Sequence, residues 1–187
     1  FHKATENPTQ EIIRLIGEEK IEGLYTAVLP VEFGKSAEII FNLIDEVEPD
    51  IVISLGQAEG RTQITPEKIA VNIDDARIPD NAGNQPTNSP IVVSGADGLF
   101  STLPINEIVK ILKKSDIPAS ISMTAGTYVC NHVFYAMQAH CLGKDIKSGF
   151  IHVPLMESQS QEFPDLPTMK LETMVEAVRI IIKSLPR

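Results

Sequence analysis

The sequence predicts one α/β domain, in which a mainly parallel, twisted sheet lies between helices on both faces in a three-layer αβα arrangement. Short β-branched segments alternate along the chain with amphipathic segments of about a dozen residues, the length that crossovers between parallel strands need. The chain has 187 residues, of which 43% are hydrophobic and 22% charged. Because a domain holds roughly 150 residues, we treat 1–187 as a single domain with a full hydrophobic core.

Two helices and two strands are predicted in the first part of the chain. Asn7 and Pro8 supply an N-cap and a proline at the first helical position, and apolar residues follow at helical spacing. Residues 25–31 predict a strand and 36–47 a helix. The apolar segment 51–55 is typical of a parallel strand that is buried on both faces.

The second part of the chain continues the alternation. A helix with apolar residues at i, i+3, i+4 and i+7 follows Pro104. Residues 118–123 and 150–153 predict strands, whereas 128–142 and 171–185 predict helices.

Two segments have little periodicity. Residues 74–94 are rich in Asp, Asn, Gly and Pro, and so long a loop inside a compact domain is usually functional or disordered. Ligands of open parallel sheets bind beyond the carboxyl ends of the strands, where such loops gather. Residues 155–167 predict either an interface segment or an ordinary surface loop.

Composition argues against several classes of partner and compartment. The net charge is −9 and the pI about 4.9, so no basic surface for nucleic acid is expected. No apolar segment approaches the roughly 20 residues that cross a bilayer, and we expect a soluble protein with no membrane partner. Cys130 and Cys141 lie on one predicted helix, about 16 Å apart along its axis, which is too far for a disulfide. Free thiols favour a reducing compartment, so we expect a cytoplasmic protein.

Cys130 is the strongest candidate nucleophile. The strand over 118–123 continues through residues 124–127 into a helix that Thr127 can cap, which places Cys130 in the first helical turn. There the free N–H groups and the helix dipole favour a thiolate and can receive an oxyanion. The spacing alone leaves open that Cys130 is a small buried core residue.

A nucleophilic cysteine needs a base, and His152 fits best among the four histidines. His2 lies at the start of the chain, His132 points away from Cys130 around the helix, and His140 lies about 15 Å further along it. His152 ends a predicted parallel strand and therefore faces the same crevice as Cys130, although the spacing alone favours a purely structural histidine. No metal site is predicted, because the helical cysteines and histidines do not converge on one point.

Five sequence blocks carry a resemblance to a known family. They read GQAEGR (56–61), PEKIAVN (66–72), ARIPDN (76–81), TAGTYVCN (124–131) and GFIHVP (149–154). In this order they resemble the signature blocks of the pyroglutamyl peptidase I (pyrrolidone-carboxylate peptidase) family, and the similarity extends over the chain. Five ordered blocks are far more specific than one short motif.

The resemblance implies a cysteine peptidase that removes an N-terminal pyroglutamyl residue from peptides through a thioester acyl-enzyme, with no metal or organic cofactor. The family's nucleophile matches Cys130, its base His152 and its orienting carboxylate Glu67. The resemblance also places the oxyanion at the backbone N–H of Cys130, with Arg77 nearby.

The resemblance further implies a pocket for the lactam ring of pyroglutamate. Gln57 matches a family position that lines this pocket, and Tyr128 and Phe1 match aromatic positions around the ring. Family chains open with a strand and a Gly-Phe-x-Pro-Phe motif, whose last residue Phe1 matches, so we expect the natural chain to begin earlier. Family members are often homotetramers, and we therefore expect a homo-oligomer.

Two other functions stay open at this point. One is a catalytically silent α/β domain that binds a small lactam or nucleoside-like ligand in the same crevice, since fold alone does not fix function. Such a domain has no need for a thiol at a helix N-terminus. The other is a serine-type acyl hydrolase, which is disfavoured because the strand–turn–helix position holds Cys130 instead of serine.

Overall fold

The computed structural model describes residues 6–185, which contain five α-helices and seven strands. The helices are α1 (Pro8–Glu18), α2 (Lys35–Val47), α3 (Ile105–Lys114), α4 (Val129–Cys141) and α5 (Leu171–Ser184). The strands are β1 (Ile51–Gln57), β2 (Thr65–Pro66), β3 (Ile69–Val71), β4 (Gly98–Phe100), β5 (Lys147–Val153), β6 (Leu155–Met156) and β7 (Thr168–Met169). A 3-10 helix over Glu157–Gln161 connects β6 to β7.

The central sheet has the order β1-β5-β2. β1 and β5 run parallel over their full length, and the register places Gly56 opposite His152. β2 is antiparallel to β5, with Thr65 opposite His152. The α/β fold class is therefore confirmed, with a sheet that is mixed because the short β2 reverses direction beside the long parallel pair.

Helices cover both faces of this sheet, as the three-layer prediction requires. Successive residues of a strand point to opposite faces, and β5 separates two hydrophobic clusters accordingly. Ile151 packs into the cluster of α1, α3 and α5, whereas Phe150 packs into the cluster of α2 and α4. The alternation therefore turns His152 toward the same side as Phe150, which is the side of α4.

The helical predictions agree with the structure to within one or two residues at most ends. Asn7 caps α1, and its side chain accepts a hydrogen bond from the backbone N–H of Thr9 at 2.9 Å. Residues 118–123 are extended but form only isolated parallel bridges, Ile64 to Ala119 and Glu67 to Ser122, instead of a continuous strand. Between 74 and 94 the structure has neither helix nor strand, as expected for that loop.

The strand predicted over 25–31 is wrong. This segment is irregular, and Tyr25 and Val28 are 73% and 60% exposed. A strand needs a neighbour for its backbone hydrogen bonds, and within residues 6–185 no strand pairs with this segment or with the edge of β1 that faces away from β5. The segment and β1 instead both line a cleft of about 1530 Å³. The expected strand before Phe1 falls outside residues 6–185.

No helix within residues 6–185 has both the length and the apolar character that a membrane crossing requires.

Candidate active site

A buried histidine–carboxylate pair lies at the carboxyl end of β5. Glu67 directly follows β2, and its backbone N–H donates to the carbonyl of Phe150 at 2.9 Å, which holds it beside β5. Glu67 Oε1 lies 2.7 Å from His152 Nδ1. The exposed fractions of Glu67 and His152 are 0% and 3%, so the pair is almost completely buried. An Nδ1–H donated to Glu67 leaves Nε2 as the ring nitrogen available for chemistry.

Cys130 approaches this pair from the N-terminus of α4. It is the second residue of that helix, and its backbone N–H donates to no acceptor in residues 6–185. The N-cap is Tyr128 and not Thr127, whose hydroxyl donates to the carbonyl of Asp75 at 2.8 Å. The first turn of α4 therefore presents unpaired N–H groups beside the sulfur, as expected of a helix N-terminus.

Gly56 lets the sulfur come close to β1. A Cβ at this position would lie 3.0 Å from Cys130 Sγ and 2.7 Å from Phe150 Cε1, both closer than side chains normally pack. Gly56 pairs with His152 in the register of β1 and β5. The close approach of Cys130 Sγ to Gly56 therefore places the sulfur beside His152.

The electrostatic environment of His152 reflects both neighbours. Burial lowers the pKa of His152, but hydrogen bonding to Cys130 and to Glu67 and the negative charge of both groups outweigh this effect and raise the pKa above its ordinary value. The site therefore favours the protonated imidazole of His152.

Arg61 contacts the carboxylate from the connection between β1 and β2. Its Nη1 lies 2.8 Å from Glu67 Oε1, the same oxygen that faces His152. Its Nη2 donates to the carbonyl of Thr124 at 3.1 Å, in the turn that leads to α4.

Gln57 and Tyr128 line the same cleft as Cys130. Gln57 Oε1 accepts a hydrogen bond from Gln159 at 3.1 Å, and Tyr128 donates its hydroxyl to the carbonyl of Pro79 at 3.0 Å. Burial, together with the negative charges of Asp80 and Cys130, raises the pKa of Tyr128. Tyr128 and Cys130 are thus near enough to interact electrostatically.

The structure does not show a contact between the site and the other two predicted substrate-binding residues, Arg77 and Phe1. Arg77 is exposed on the 74–94 loop and forms no ion pair or hydrogen bond with the described part of the chain. Phe1 lies outside residues 6–185, so the structure does not describe its surroundings.

Comparisons with known proteins identify the family of this chain. A sequence model of the pyroglutamyl peptidase family matches residues 1–187. The chain belongs to the pyroglutamyl peptidase family. It is 45% identical over 186 residues to pyrrolidone-carboxylate peptidase 2 of Photorhabdus laumondii, covering 97% of this chain and 85% of the relative. It is 48% identical to the pyrrolidone-carboxylate peptidase of a Thermoanaerobacter species, covering 95% and 89%.

Solved structures of pyroglutamyl peptidases share the fold. Pyroglutamyl peptidase I of Bacillus amyloliquefaciens superposes with a TM-score of 0.90 at 40% identity, covering 97% of this chain and 88% of that one. Pyrrolidone carboxyl peptidase of Thermococcus litoralis gives 0.92 at 37% identity, covering 98% and 87%. The family resemblance in the five sequence blocks is therefore confirmed, and the chain is a peptidase.

Two further histidines and the second cysteine of this pyroglutamyl peptidase family member have partners or positions of their own away from His152, and His2 lies outside residues 6–185. His132 is paired with Asp74 at 2.8 Å, and His140 with Asp45 at 2.9 Å near the surface. Cys141 is buried and, like Cys130, is a free thiol. Among the residues that the structure describes, no group of three or more His, Cys, Asp or Glu side chains is arranged to hold a metal ion.

Two site residues of this family member were missed by sequence reasoning. Gly56 and Arg61 belong to one of the quoted blocks, but their spacing gave no periodic or motif signal for a role. The contact of Gly56 depends on the register between β1 and β5, and that of Arg61 on the turn between β1 and β2. Both contacts depend on tertiary structure, so among the sequence observations only the resemblance of the blocks could have drawn attention to these positions.

Proposed function

We propose that this peptidase hydrolyses the bond after an N-terminal pyroglutamyl residue of peptides, with Cys130 as nucleophile, His152 as general base and acid, and Glu67 as the orienting carboxylate. The substrate class rests on the names of its relatives, pyrrolidone-carboxylate and pyroglutamyl peptidases. The observation that carries the residue roles is the convergence of a helix N-terminal cysteine on a buried histidine whose other nitrogen lies 2.7 Å from a carboxylate.

In the acylation step, the Cys130 thiolate attacks the carbonyl carbon that joins pyroglutamate to the next residue. A carbon–sulfur bond forms, and the negative charge moves to the carbonyl oxygen. When this oxyanion collapses, the carbon–nitrogen bond breaks, and the imidazolium of His152 transfers its proton to the leaving amine. The products are a thioester on Cys130 and a peptide shortened by one residue.

In the deacylation step, neutral His152 takes a proton from a water molecule, which attacks the thioester carbon. Collapse of the second oxyanion releases pyroglutamate and restores the thiolate beside the imidazolium. Glu67 accepts the Nδ1–H throughout, which keeps Nε2 directed at the reacting atoms. The steps use only side chains of this chain and one water molecule, with no metal or organic cofactor.

The oxyanion would accept a hydrogen bond from the backbone N–H of Cys130, which is unpaired in the described chain. Arg77 would add a positive charge from the 74–94 loop. Gln57, Tyr128 and Phe1 would surround the lactam ring. Because a pocket that pairs both lactam groups leaves its own polar groups unsatisfied with any analogue that lacks them, a prolyl substrate would be rejected.

The test follows release of aminomethylcoumarin from its pyroglutamyl and prolyl derivatives under reducing conditions. We expect release from the pyroglutamyl compound alone, and none after Cys130→Ser. Cys141→Ser is the matched control, because this second thiol lies on the same helix but is not near His152. We expect this variant to keep the activity. A folded, reduced protein that releases nothing from the pyroglutamyl compound would contradict the proposal and favour a lactam-binding domain.

We also propose a cytoplasmic location and a homo-oligomer, with a tetramer expected from the family resemblance. Reduced thiols at Cys130 and Cys141 support the first. The second rests on that resemblance alone. Sedimentation of the purified protein tests the oligomer, and a monomer at micromolar concentration would contradict it.

A further inference from the structure

Arg61 is the cationic partner of the buried carboxylate in the candidate site. Its Nη1 lies 2.8 Å from Glu67 Oε1, and the side chain of Arg61 is 24% exposed whereas that of Glu67 is fully buried. His152 Nδ1 lies 2.7 Å from the same oxygen. Glu67 Oε2 is buried and has no hydrogen-bond partner within residues 6–185. Both favourable contacts of this carboxylate therefore meet at Oε1.

The same guanidinium also joins the two elements that carry the reacting groups. Its Nη2 donates to the carbonyl of Thr124 at 3.1 Å, in the turn before the helix of Cys130. Its Nη1 donates to Thr65 Oγ1, and the Thr65 hydroxyl donates to the carbonyl of His152 at 3.3 Å. One planar fork thus contacts the carboxylate and the cysteine turn directly, and the histidine strand through Thr65.

We infer that Arg61 is a positioning residue for the proposed reaction, which holds the Glu67 carboxylate in the place from which it orients His152. This inference rests on the proposed roles of Cys130, His152 and Glu67. Its physical basis is that a carboxylate taken out of water is costly unless a charge and hydrogen bonds compensate it. Without Arg61, Glu67 loses this compensating charge and contact, and its carboxylate holds the Nδ1–H of His152 less firmly.

A merely structural arginine and a positioning arginine predict different pH profiles. Glu67 faces this guanidinium directly, His152 faces it through Glu67, and Cys130 faces it through Glu67 and His152. Loss of the positive charge favours the protonated form of this coupled site as a whole. Activity that falls after removal of Arg61 should therefore recover in part as the pH rises, whereas a loss of packing would lower activity equally at every pH.

Three substitutions separate charge from geometry. Arg61→Gln keeps hydrogen-bonding atoms but loses the charge, Arg61→Met loses both, and Arg61→Lys keeps the charge but loses the fork. We expect kcat/KM near neutral pH to fall by about 10- to 100-fold for Gln and Met, the usual cost of removing an outer partner of a site residue. The acid limb of their profiles should move up by about one pH unit or more. Arg61→Lys should restore the position of the limb, with a lower plateau.

The matched control is Arg14→Gln on α1, which removes an arginine from two exposed ion pairs with Glu11 and Glu18. It should leave both the rate and the profile unchanged. Thermal unfolding of each variant checks the fold, and the comparison between Arg61→Lys and Arg61→Gln carries the test if Arg61→Met does not fold. The inference is overturned if the Gln profile superimposes on the wild-type profile or is lowered uniformly.

A second readout needs no peptide substrate. The rate at which iodoacetamide alkylates Cys130, measured against pH by mass spectrometry of its peptide, reports the thiolate that His152 supports. We expect the alkylation profile of Arg61→Gln to shift in the same direction as its activity profile. If the wild-type protein does not cleave pyroglutamyl substrates but this shift is seen, the proposed function fails and the role of Arg61 stands. If cleavage is normal and neither profile moves, only the role of Arg61 fails.

Discussion

Two buried histidine–carboxylate pairs in this molecule have nearly the same internal geometry. His152 Nδ1 lies 2.7 Å from Glu67 Oε1, and His132 Nδ1 lies 2.8 Å from Asp74 Oδ2. In each pair the second carboxylate oxygen is buried without a hydrogen-bond partner in residues 6–185. By these measures alone, either pair could orient a general base.

The pairs differ at the other ring nitrogen. His132 Nε2 accepts the backbone N–H of Gly34 at 3.0 Å, so its lone pair is already used. The His132 ring also packs edge-on against Phe33, with 5.5 Å between ring centroids. His152 interacts instead with Cys130. A buried histidine–carboxylate pair therefore becomes a candidate base only where its outer nitrogen meets a reacting group.

The His132 pair works as a structural tie. It fixes Gly34, the N-cap of α2, against α4. The Asp80 carboxylate accepts the adjacent backbone N–H of Phe33 at 2.8 Å. Burial raises the pKa of Asp80, but hydrogen bonds from Asn84, Phe33 and Ala82 outweigh burial and lower the pKa below its ordinary value. The segment beside Tyr128 is thus anchored from two sides.

The largest expected effect comes from making the same substitution in both histidines. Glutamine places a side-chain oxygen where Nε2 of histidine lies, so it can replace an acceptor but not a proton-transfer group. His152→Gln should lower kcat on the order of 10⁶-fold. His132→Gln should keep most of the activity, because its oxygen can still accept the Gly34 N–H. Steady-state hydrolysis of the pyroglutamyl coumarin measures both, and equal losses in the two variants would contradict the comparison.

The two carboxylates should also respond differently when each is converted to its amide. An amide can donate to Nδ1 and so turn the imidazole into the wrong tautomer. Glu67→Gln should lower kcat on the order of 10⁴-fold with little change in KM. Asp74→Asn should instead lower the free energy of unfolding by about 1–3 kcal/mol, because the Gly34 N–H would then face an Nε2–H. Kinetics and urea unfolding of both variants test this, and a reversed pattern would exchange the roles of the two pairs.

Gly56→Ala tests the position of Cys130, the proposed nucleophile that distinguishes the His152 pair from the His132 pair. The added methyl would lie 3.0 Å from Cys130 Sγ and 2.7 Å from Phe150 Cε1, so the sulfur or the ring must move. A displacement of about 1 Å can cost about 100-fold in rate, and we expect a loss of that size in kcat. The structure of the variant, or its Cys130 alkylation rate, shows whether the sulfur has moved. Unchanged kinetics would mean that the sulfur need not lie on β1.

The smallest expected effect is on the pH dependence of stability. The pKa of His152 is raised in the folded state, so the folded protein binds this proton more tightly than the unfolded chain, where the pKa is about 6.5. The corresponding stabilisation is complete below that value and is lost as the pH rises through the folded pKa. Urea unfolding should therefore show stability falling in this window, and His152→Gln should remove that component. A wild-type stability that rises over the same window, by an amount that His152→Gln abolishes, would contradict the assigned direction.

Local pattern was sufficient for most of the fold. The periodicity of α1, α2, α3 and α5 and the apolar segment of β1 are properties of neighbouring residues, and the structure confirms them. The segment 25–31 has equally strong strand character, but a strand also needs a paired edge, and that requirement is not local. The prediction failed there because the backbone partners of a strand are not encoded in its own residues.

The site was predictable to a similar degree and for the same reason. Cys130 was predicted at the start of a helix and His152 at the end of a strand, which places both at the same edge of the sheet. The role of Glu67 came from the family resemblance. Nothing local separates Glu67 from the many surface glutamates, because its burial depends on β2 pairing antiparallel to β5. Arg61 and the His132 tie likewise depend on contacts between distant segments, which single-sequence reasoning does not reach.

The position of β5 between two strands has a consequence for how the site fluctuates. Amide hydrogens of a strand paired on both sides exchange with solvent only in large-scale opening events, and Ile151 and Val153 on either side of His152 are fully buried. In native-state hydrogen exchange the backbone at His152 should be among the slowest positions, whereas the irregular loop with Arg77 should exchange through local opening. We therefore expect the imidazole to be carried by one of the most slowly opening parts of the molecule, and its orientation to persist for as long as the chain stays folded.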